Sequence, residues 1–326
     1  MNKKLFSLAL ALAIIGIHNT YAQQQDALDV VVGGSFGKPK IMPRLEKFGI
    51  AQLSVTYKLT STERALGKER ATGKMAGAKL TAFLETTDGE LTNDDFQEIT
   101  DYFYDYFQKQ LKKNGIDTVA WSTITAQEFY KDADGKVEAG DEEKGNGQVW
   151  KTFNAHNGNI MYGGRTAFAF GKIKKAARFS DDIGAPAGFF HLVVDFADLA
   201  VGVKIHTGEW EGFIEVTRKT SYKYTASAKP LMRITPPTPT GRSTLLWNEK
   251  QHGEAIIVKK DIESPMQYHT AAIQDPSRIR SNAFAFAKSM DPVVIETTRE
   301  KYKAAAKAAL EKYVDAFIAK ALELKK

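Results

Sequence analysis

The stretch that most restricts what this chain can fold into runs from Leu53 to Tyr130, where strand and helix signatures follow one another closely. Leu53, Val55, Tyr57 and Leu59 alternate with Gln52, Ser54, Thr56 and Lys58, the period-two pattern of a half-buried strand. Ser61 to Gly77 is polar, charged and glycine-containing, and reads as a loop or mobile excursion. Lys79 to Thr86 then looks like a second strand, ended by Asp88-Gly89.

A complete helix signature follows. Thr92, Asn93 and Asp94 offer capping side chains, and Asp94 and Asp95 put negative charge where the helix dipole favours it. Phe96, Ile99, Phe103, Tyr106, Phe107 and Leu111 recur at helical spacing, lysines fill the last turn, and Asn114-Gly115 is a fitting stop. Ile116 to Trp121 reads as a strand, and Thr125 to Glu128 has capping-box spacing for another helix. Asp132 to Gly147 is a polar surface loop.

The second half is β-rich. Phe190, Leu192, Val194 and Phe196 alternate cleanly, and Val201–Ile205, Phe213–Arg218, Lys219–Ala226, Ser243–Trp247 and Glu254–Val258 are further strands, with an exposed proline-rich turn at Pro236–Gly241. Beyond Pro292 a long helix carries an apolar stripe of Tyr302, Ala306, Ala309, Leu310, Tyr313, Phe317, Ala321 and Leu324. The stripe either docks on the protein's own sheet or serves as a membrane or oligomer contact. Glu300, Glu311, Asp315 and Glu323 dilute its basic side, which favours docking. The expected class is α/β or α+β: a mixed sheet with helices packed on one face, a β-rich second half and a long C-terminal helix. The expected division is a leader at 1–22, a strand/helix half at 23–148 and a β-rich half at 149–326, or one continuous domain over 23–326.

The leader is read from the first residues. Lys3 and Lys4 precede an apolar run from Leu5 to Ile17, too short for the ~20 residues a spanning helix needs, and Thr20-Tyr21-Ala22 suits signal-peptide cleavage before Gln23. The sequence therefore predicts export to a periplasmic or extracellular place. No later run is apolar enough to span a bilayer as a helix. With no cysteine in the chain, disulfides, a thiol nucleophile, a cysteine metal site and a lipidated N-terminal cysteine are all excluded. The formal charge is +6, but Lys3 and Lys4 belong to the leader and the other basic residues are interspersed with acids, which disfavours nucleic acid as a partner.

Few residues suggest chemistry. Gly33-Gly34-Ser35-Phe36-Gly37 fits the G-x-S-x-G elbow of serine hydrolases, with Asp195 and His252 (or His269) as partners in the required order. Pro39 and Pro43 oppose the helix that such an elbow opens, so a glycine-rich turn is the stronger reading. Asp132, Asp134 and Asp141 hint at a calcium loop, yet Tyr130 would occupy its first ligand position, and a solvated acidic loop is the stronger reading there. The six histidines show no zinc spacing, and no cofactor is implied. Tyr102 and Tyr104 flank the core stripe of their helix, where their rings could meet a partner.

Gly49 to Val55, the helix Phe96 to Leu111, the turn and strand Lys113 to Val119, and the strand Phe189 to Asp195 together resemble the periplasmic α/β domain of the curli-secretion outer-membrane lipoprotein family. The long terminal helix is similar to the one that closes such domains. The lipid-bearing cysteine is missing, and the pore hairpins of that family have no placed counterpart. The resemblance implies a non-catalytic assembly, transport-accessory or binding domain acting on an envelope protein or surface component, in a monomer or an oligomer. No functional residue carries over.

Overall fold

The computed structural model describes residues 27–32, 38–69, 73–131, 140, 142–145, 147–161, 170–211, 216–237, 242–248, 253–279 and 287–325. In chain order these form β1 (Leu28–Val32), β2 (Lys47–Lys68), β3 (Met75–Thr86), α1 (Asn93–Lys113), β4 (Asp117–Thr118), α2 (Trp121–Thr125), α3 (Glu128–Lys131), β5 (Glu142–Gly145) and β6 (Gln148–Asn154). Then come α4 (Phe170–Asp182), β7 (Ala187–Glu211), β8 (Val216–Thr235), β9 (Arg242–Trp247), β10 (Gly253–Val258), β11 (Ile262–Glu263), β12 (His269–Gln274), β13 (Ala287–Ser289), β14 (Val293–Thr297) and α5 (Arg299–Lys325).

One sheet joins these strands in the order β1-β10-β9-β7-β2-β3-β14-β12, with β4, β5, β6, β8, β11 and β13 branching from it. Its centre is the parallel pair β2 and β7, paired from Gly49 opposite Ala187 to Tyr57 opposite Val194, with a bulge at Ala51 that turns this residue to the other face from Leu53. This pairing ties strands from before residue 148 to strands from after it. Parallel contacts of β3 with β13 and β14 and of β2 with β4, beside antiparallel contacts such as β2 with β3 and β7 with β8, make the sheet mixed.

Because successive strand residues point to opposite faces, β2 and β7 build two cores. Leu53, Val55 and Tyr57 face the same side as Phe190, Leu192, Val194 and Phe196, and on that side lie the two long helices α1 and α5. Phe107 of α1 and Phe317 of α5 both pack on Phe190, with ring centroids 5.0 and 5.6 Å away. The terminal stripe, including Tyr302, Leu310, Tyr313 and Phe317, is buried here. It is therefore not free to meet a membrane or a second copy. On the other side Ala51 and Phe189 share a smaller core with Val119, Ile124, Tyr130 and Phe179, contributed by the short helices and by α4. Gly188 faces the larger core closely: a Cβ there would sit 2.3 Å from the Phe48 ring and 2.7 Å from that of Phe190.

Three sequence expectations are corrected. Asp132 to Gly147 is not loop throughout, since Glu142–Gly145 pairs with β6 as β5. Ser61 to Gly77 is not a loose excursion, because β2 runs on to Lys68 and β3 begins at Met75, paired from Thr60–Phe83 to Lys68–Met75. Ile116 to Trp121 is strand only at Asp117–Thr118, since Trp121 opens a helical turn whose indole packs on Tyr104.

Helix α1 begins as its sequence dictates. The Thr92 hydroxyl accepts from Asp95 N–H while the Asp95 carboxylate accepts from Thr92 N–H. Asp95 is also held by Arg299 of α5, at 2.8 Å. Burial by itself would raise the Asp95 pKa, but Arg299 and the Thr92 donors outweigh it, and the carboxyl titrates below its ordinary value. A carboxylate depressed in the folded state contributes stability above its unfolded pKa, and that contribution is lost as pH falls through the folded value. Replacing Asp95 with Asn should cost about 1.5 kcal/mol near neutral pH and flatten the loss of stability as pH falls below the ordinary carboxylate range. Urea unfolding of both proteins across that range checks it; parallel curves would show that this carboxylate does not set the acid response.

Candidate functional site

On the sheet face opposite the long helices, the polar side of β2 meets β7 in a buried row. Gln52, Ser54, Thr56, Thr152, Asn154 and His191 are all buried there. Ser54 and His191 are register partners across the parallel pair, which puts Ser54 Oγ 2.9 Å from His191 Nδ1. Thr56 Oγ1 lies 3.4 Å from His191 Nε2 and 2.9 Å from Thr152 Oγ1. A serine beside a histidine invites comparison with a nucleophile and its base.

The hydrogen-bond inventory argues against that comparison. A hydroxyl has one hydrogen to give and two lone pairs. Gln52 Nε2 donates to Ser54 Oγ at 2.8 Å, and Ser54 Oγ donates to the Phe190 carbonyl at 3.0 Å. His191 then fills the second lone pair as an Nδ1–H donor, a tautomer assigned from this network. Ser54 is fully buried as well. The row is a lock between strands, with Gln52 Oε1 also accepting from Met161 N and Asn154 Oδ1 from Leu53 N.

Further along the same strands, the Asp195 carboxylate accepts from Lys58 Nζ at 2.6 Å, Ser61 Oγ at 3.2 Å and Ala197 N at 3.2 Å. Arg233, the register partner of Asp195, pairs with Asp198 at 2.8 Å and Asp261 at 2.6 Å. Burial raises the Asp261 pKa, against the pull of Arg233. These two ion clusters clamp the point where β7 and β8 leave the sheet.

Beyond that point β7 and β8 form a ribbon paired without interruption from Ala197–Pro230 to Glu211–Val216. At ~3.3 Å per residue it reaches about 45 Å. The ribbon is two-faced, because paired residues share a face. Val201, Val203 and Ile205 stand opposite Ala226, Tyr224 and Tyr222. On the reverse face Ala200 meets Ser227, Gly202 meets Thr225, Lys204 meets Lys223 and Asp198 meets Lys229. Val203, Ile205, Tyr222 and Tyr224 belong to neither core.

The shorter β2–β3 ribbon lies beside it. A Cβ on Gly67 would stand 3.1 Å from Val203, and Lys74 Nζ donates to Thr220 Oγ1 at 2.6 Å. Leu66 (68% exposed), Met75 (50%) and Tyr222 (45%) are all carried towards the free ends of the ribbons. They are large apolar side chains in water on stretches that contribute little to the core.

The residues singled out in the sequence fall elsewhere. Ser35, His252, Asp132, Asp134 and Asp141 lie outside the described residues, as does the leader. Asp195 is described, and it faces Lys58 and Ser61 with no histidine among those partners. Tyr104 is only 2% exposed, walled in by Trp121 and His156, and burial pushes its phenol up to about 12. Tyr102 bonds to Glu311 of α5, which also raises it to about 12, and Lys307 sits over its ring. Tyr104 is thus enclosed by α2 and the His156 turn, which come from later sequence, while Tyr102 stays partly exposed with its hydroxyl and ring engaged by α5. Among the described residues no group of acidic and histidine side chains has the arrangement of a metal site, and no helix is long and apolar enough to cross a membrane.

No family model, curated protein or solved structure matches this chain.

Proposed function

We propose that this is an exported, soluble protein of the cell envelope that binds another envelope protein or surface component without catalysing a reaction, and that the paired ribbons are its binding surface. The observation that carries the reading is the exposure of Leu66, Met75 and Tyr222 on ribbons whose side chains largely leave the core. Export rests on the order of cationic, apolar and small residues up to Ala22. The likeness to the periplasmic domain of the curli-secretion lipoprotein family points to the same class of activity. A hydrolase built on Ser35 would need Asp195 for a histidine, but that carboxylate is taken by Lys58 and Ser61.

A photo-crosslinking amino acid in place of Tyr222, in cells making the full chain, should trap one discrete partner in the envelope fraction. The same residue in place of Glu300, exposed at the start of α5, should trap none. Identical patterns from the two sites, or no adduct from Tyr222, would overturn the binding reading. A cytoplasmic product retaining Met1 would overturn export.

A further inference from the structure

We propose that the outer edge of β8 takes up an extended segment of a partner protein as an added strand, and that this segment alternates acidic with apolar side chains. The proposal rests on the reading of the ribbons as a binding surface and names what they bind.

The edge comes first. β7 pairs with one side of β8 from Val216 to Pro230 and again from Arg233 to Thr235, on either side of the irregularity at Leu231 and Met232. On the other side only Ile234 and Arg233 meet another strand, β11, among the described residues. The Met232 carbonyl accepts from Ser264 N–H just past β11; from Val216 to Leu231, apart from the imide of Pro230, the outward backbone groups have no strand to pair with among those residues. An extended chain laid along such an edge gains main-chain hydrogen bonds, and the pockets on its two sides select its side chains.

The faces supply the selection. An added strand places successive side chains over alternate faces of the ribbon. Over one face they meet Tyr222, Tyr224 and Ala226, with Val203 and Ile205 behind them. Tyr224 is steadied there by Lys288, whose ammonium lies 5.2 Å from the ring centroid. Over the other face they meet Lys223 and Lys229, both exposed, with Lys204 directly across from Lys223. Like charges directly opposed destabilise a strand pair, and a carboxylate beside Lys223 on the added strand offsets part of that repulsion. The two faces together ask for apolar residues on one side of the incoming strand and acids on the other.

The same charges argue against a second copy as the occupant. Two β8 edges paired with each other would bring two lysine faces onto one side, which is how edge strands avoid self-association. Phosphate-bearing polymers or lipid headgroups could neutralise the lysines but would leave the backbone edge unpaired.

The test uses the full mature chain and a short synthetic peptide alternating glutamate with valine. We expect saturable binding by fluorescence anisotropy, with amide exchange slowed in the 219–229 segment. Replacing Lys223 and Lys229 together with Glu should weaken binding at least about tenfold and transfer preference to a lysine–valine peptide. Both substitutions are on exposed positions, so the variant's far-ultraviolet circular dichroism should match the parent. Three results would overturn the proposal: no binding, equal binding by a peptide N-methylated on alternate nitrogens, or edge protection that rises with protein concentration alone. The last outcome would mean that a second copy occupies the edge. A discrete Tyr222 adduct in cells without strand addition would sink this inference while leaving the binding reading standing.

Discussion

Phe317→Ala should lower the unfolding free energy by about 4 kcal/mol, the largest loss expected of any single truncation considered for this molecule. The ring is fully buried and touches three others at once: Phe107 at 5.0 Å, Phe190 at 5.6 Å and Phe48 at 6.0 Å between centroids. Those partners come from α1, β7 and β2, so the cavity would open where four elements meet and no single neighbour can collapse into it. Leu322, 38% exposed on the same helix, sets the contrast: Leu322→Ala should change stability by no more than about 0.5 kcal/mol. Urea unfolding of the two variants decides between the two roles the terminal stripe could have had. A stripe facing lipid or another copy would leave Phe317→Ala nearly as stable as the parent and would cost it vesicle binding or assembly. A stripe docked on the sheet gives the large stability loss.

Where burial differs between two faces, the sequence is legible. Leu53, Val55 and Tyr57 alternate visibly because one side of β2 lies under α1 and α5 and the other carries hydroxyls and amides. Helix α1 is legible from end to end, since Thr92 and Asp95 cap it and Asn114 stops it with local bonds. The second half of β2 is not. From Arg64 to Lys68 exposed and half-buried positions alternate, but Leu66 is among the exposed ones and Ala65 and Gly67 are the half-buried ones, so the alternation is not written in hydrophobicity. The length of β7 is hidden for a related reason: Val201, Val203 and Ile205 show a short strand, while Gly202 and Gly208 read as breaks. Helix α4 is not announced in the sequence, where Ala167-Phe168-Ala169 offer no capping side chain directly before Phe170.

The candidate site was less legible still. Ser54 and His191 stand 137 residues apart, and only the register of β2 against β7 joins them. Neither residue has a local motif that would have flagged it. Tyr104 looked free because it lies off the stripe of Phe103 and Phe107, yet Trp121 and His156 arrive from later sequence to enclose it. The apolar and cationic faces of the β7–β8 ribbon could be read in part from alternation, but their opposition depends on a hairpin register that the glycines obscured.

Asp195→Ala should cost about 3 kcal/mol, through the ions it leaves behind more than the volume it removes. The Asp195 side chain is 3% exposed and the Lys58 side chain 19%, so truncation strands an ammonium in a largely dry place. Ser61 Oγ and Ala197 N lose their acceptor at the same time. Ala197 stands at the irregularity where β7 changes register against β8, so the loss falls on the root of the ribbon. Amide exchange there should therefore speed up more than in α1. Asp195 also helps to raise the Asp261 pKa, and its removal should bring that carboxyl closer to its ordinary value and strengthen its hold on Arg233. Lys58→Met combined with Asp195→Leu separates the two contributions. If the pair acts mainly as a buried charge that must not be broken, the double variant recovers most of the stability lost by Asp195→Ala, because neither ion is left alone. If the carboxylate matters chiefly as the acceptor for Ser61 and Ala197, the double variant stays as unstable as the single one. In that case the backbone bond at the ribbon root, and not the ion pair, fixes where β7 and β8 leave the sheet.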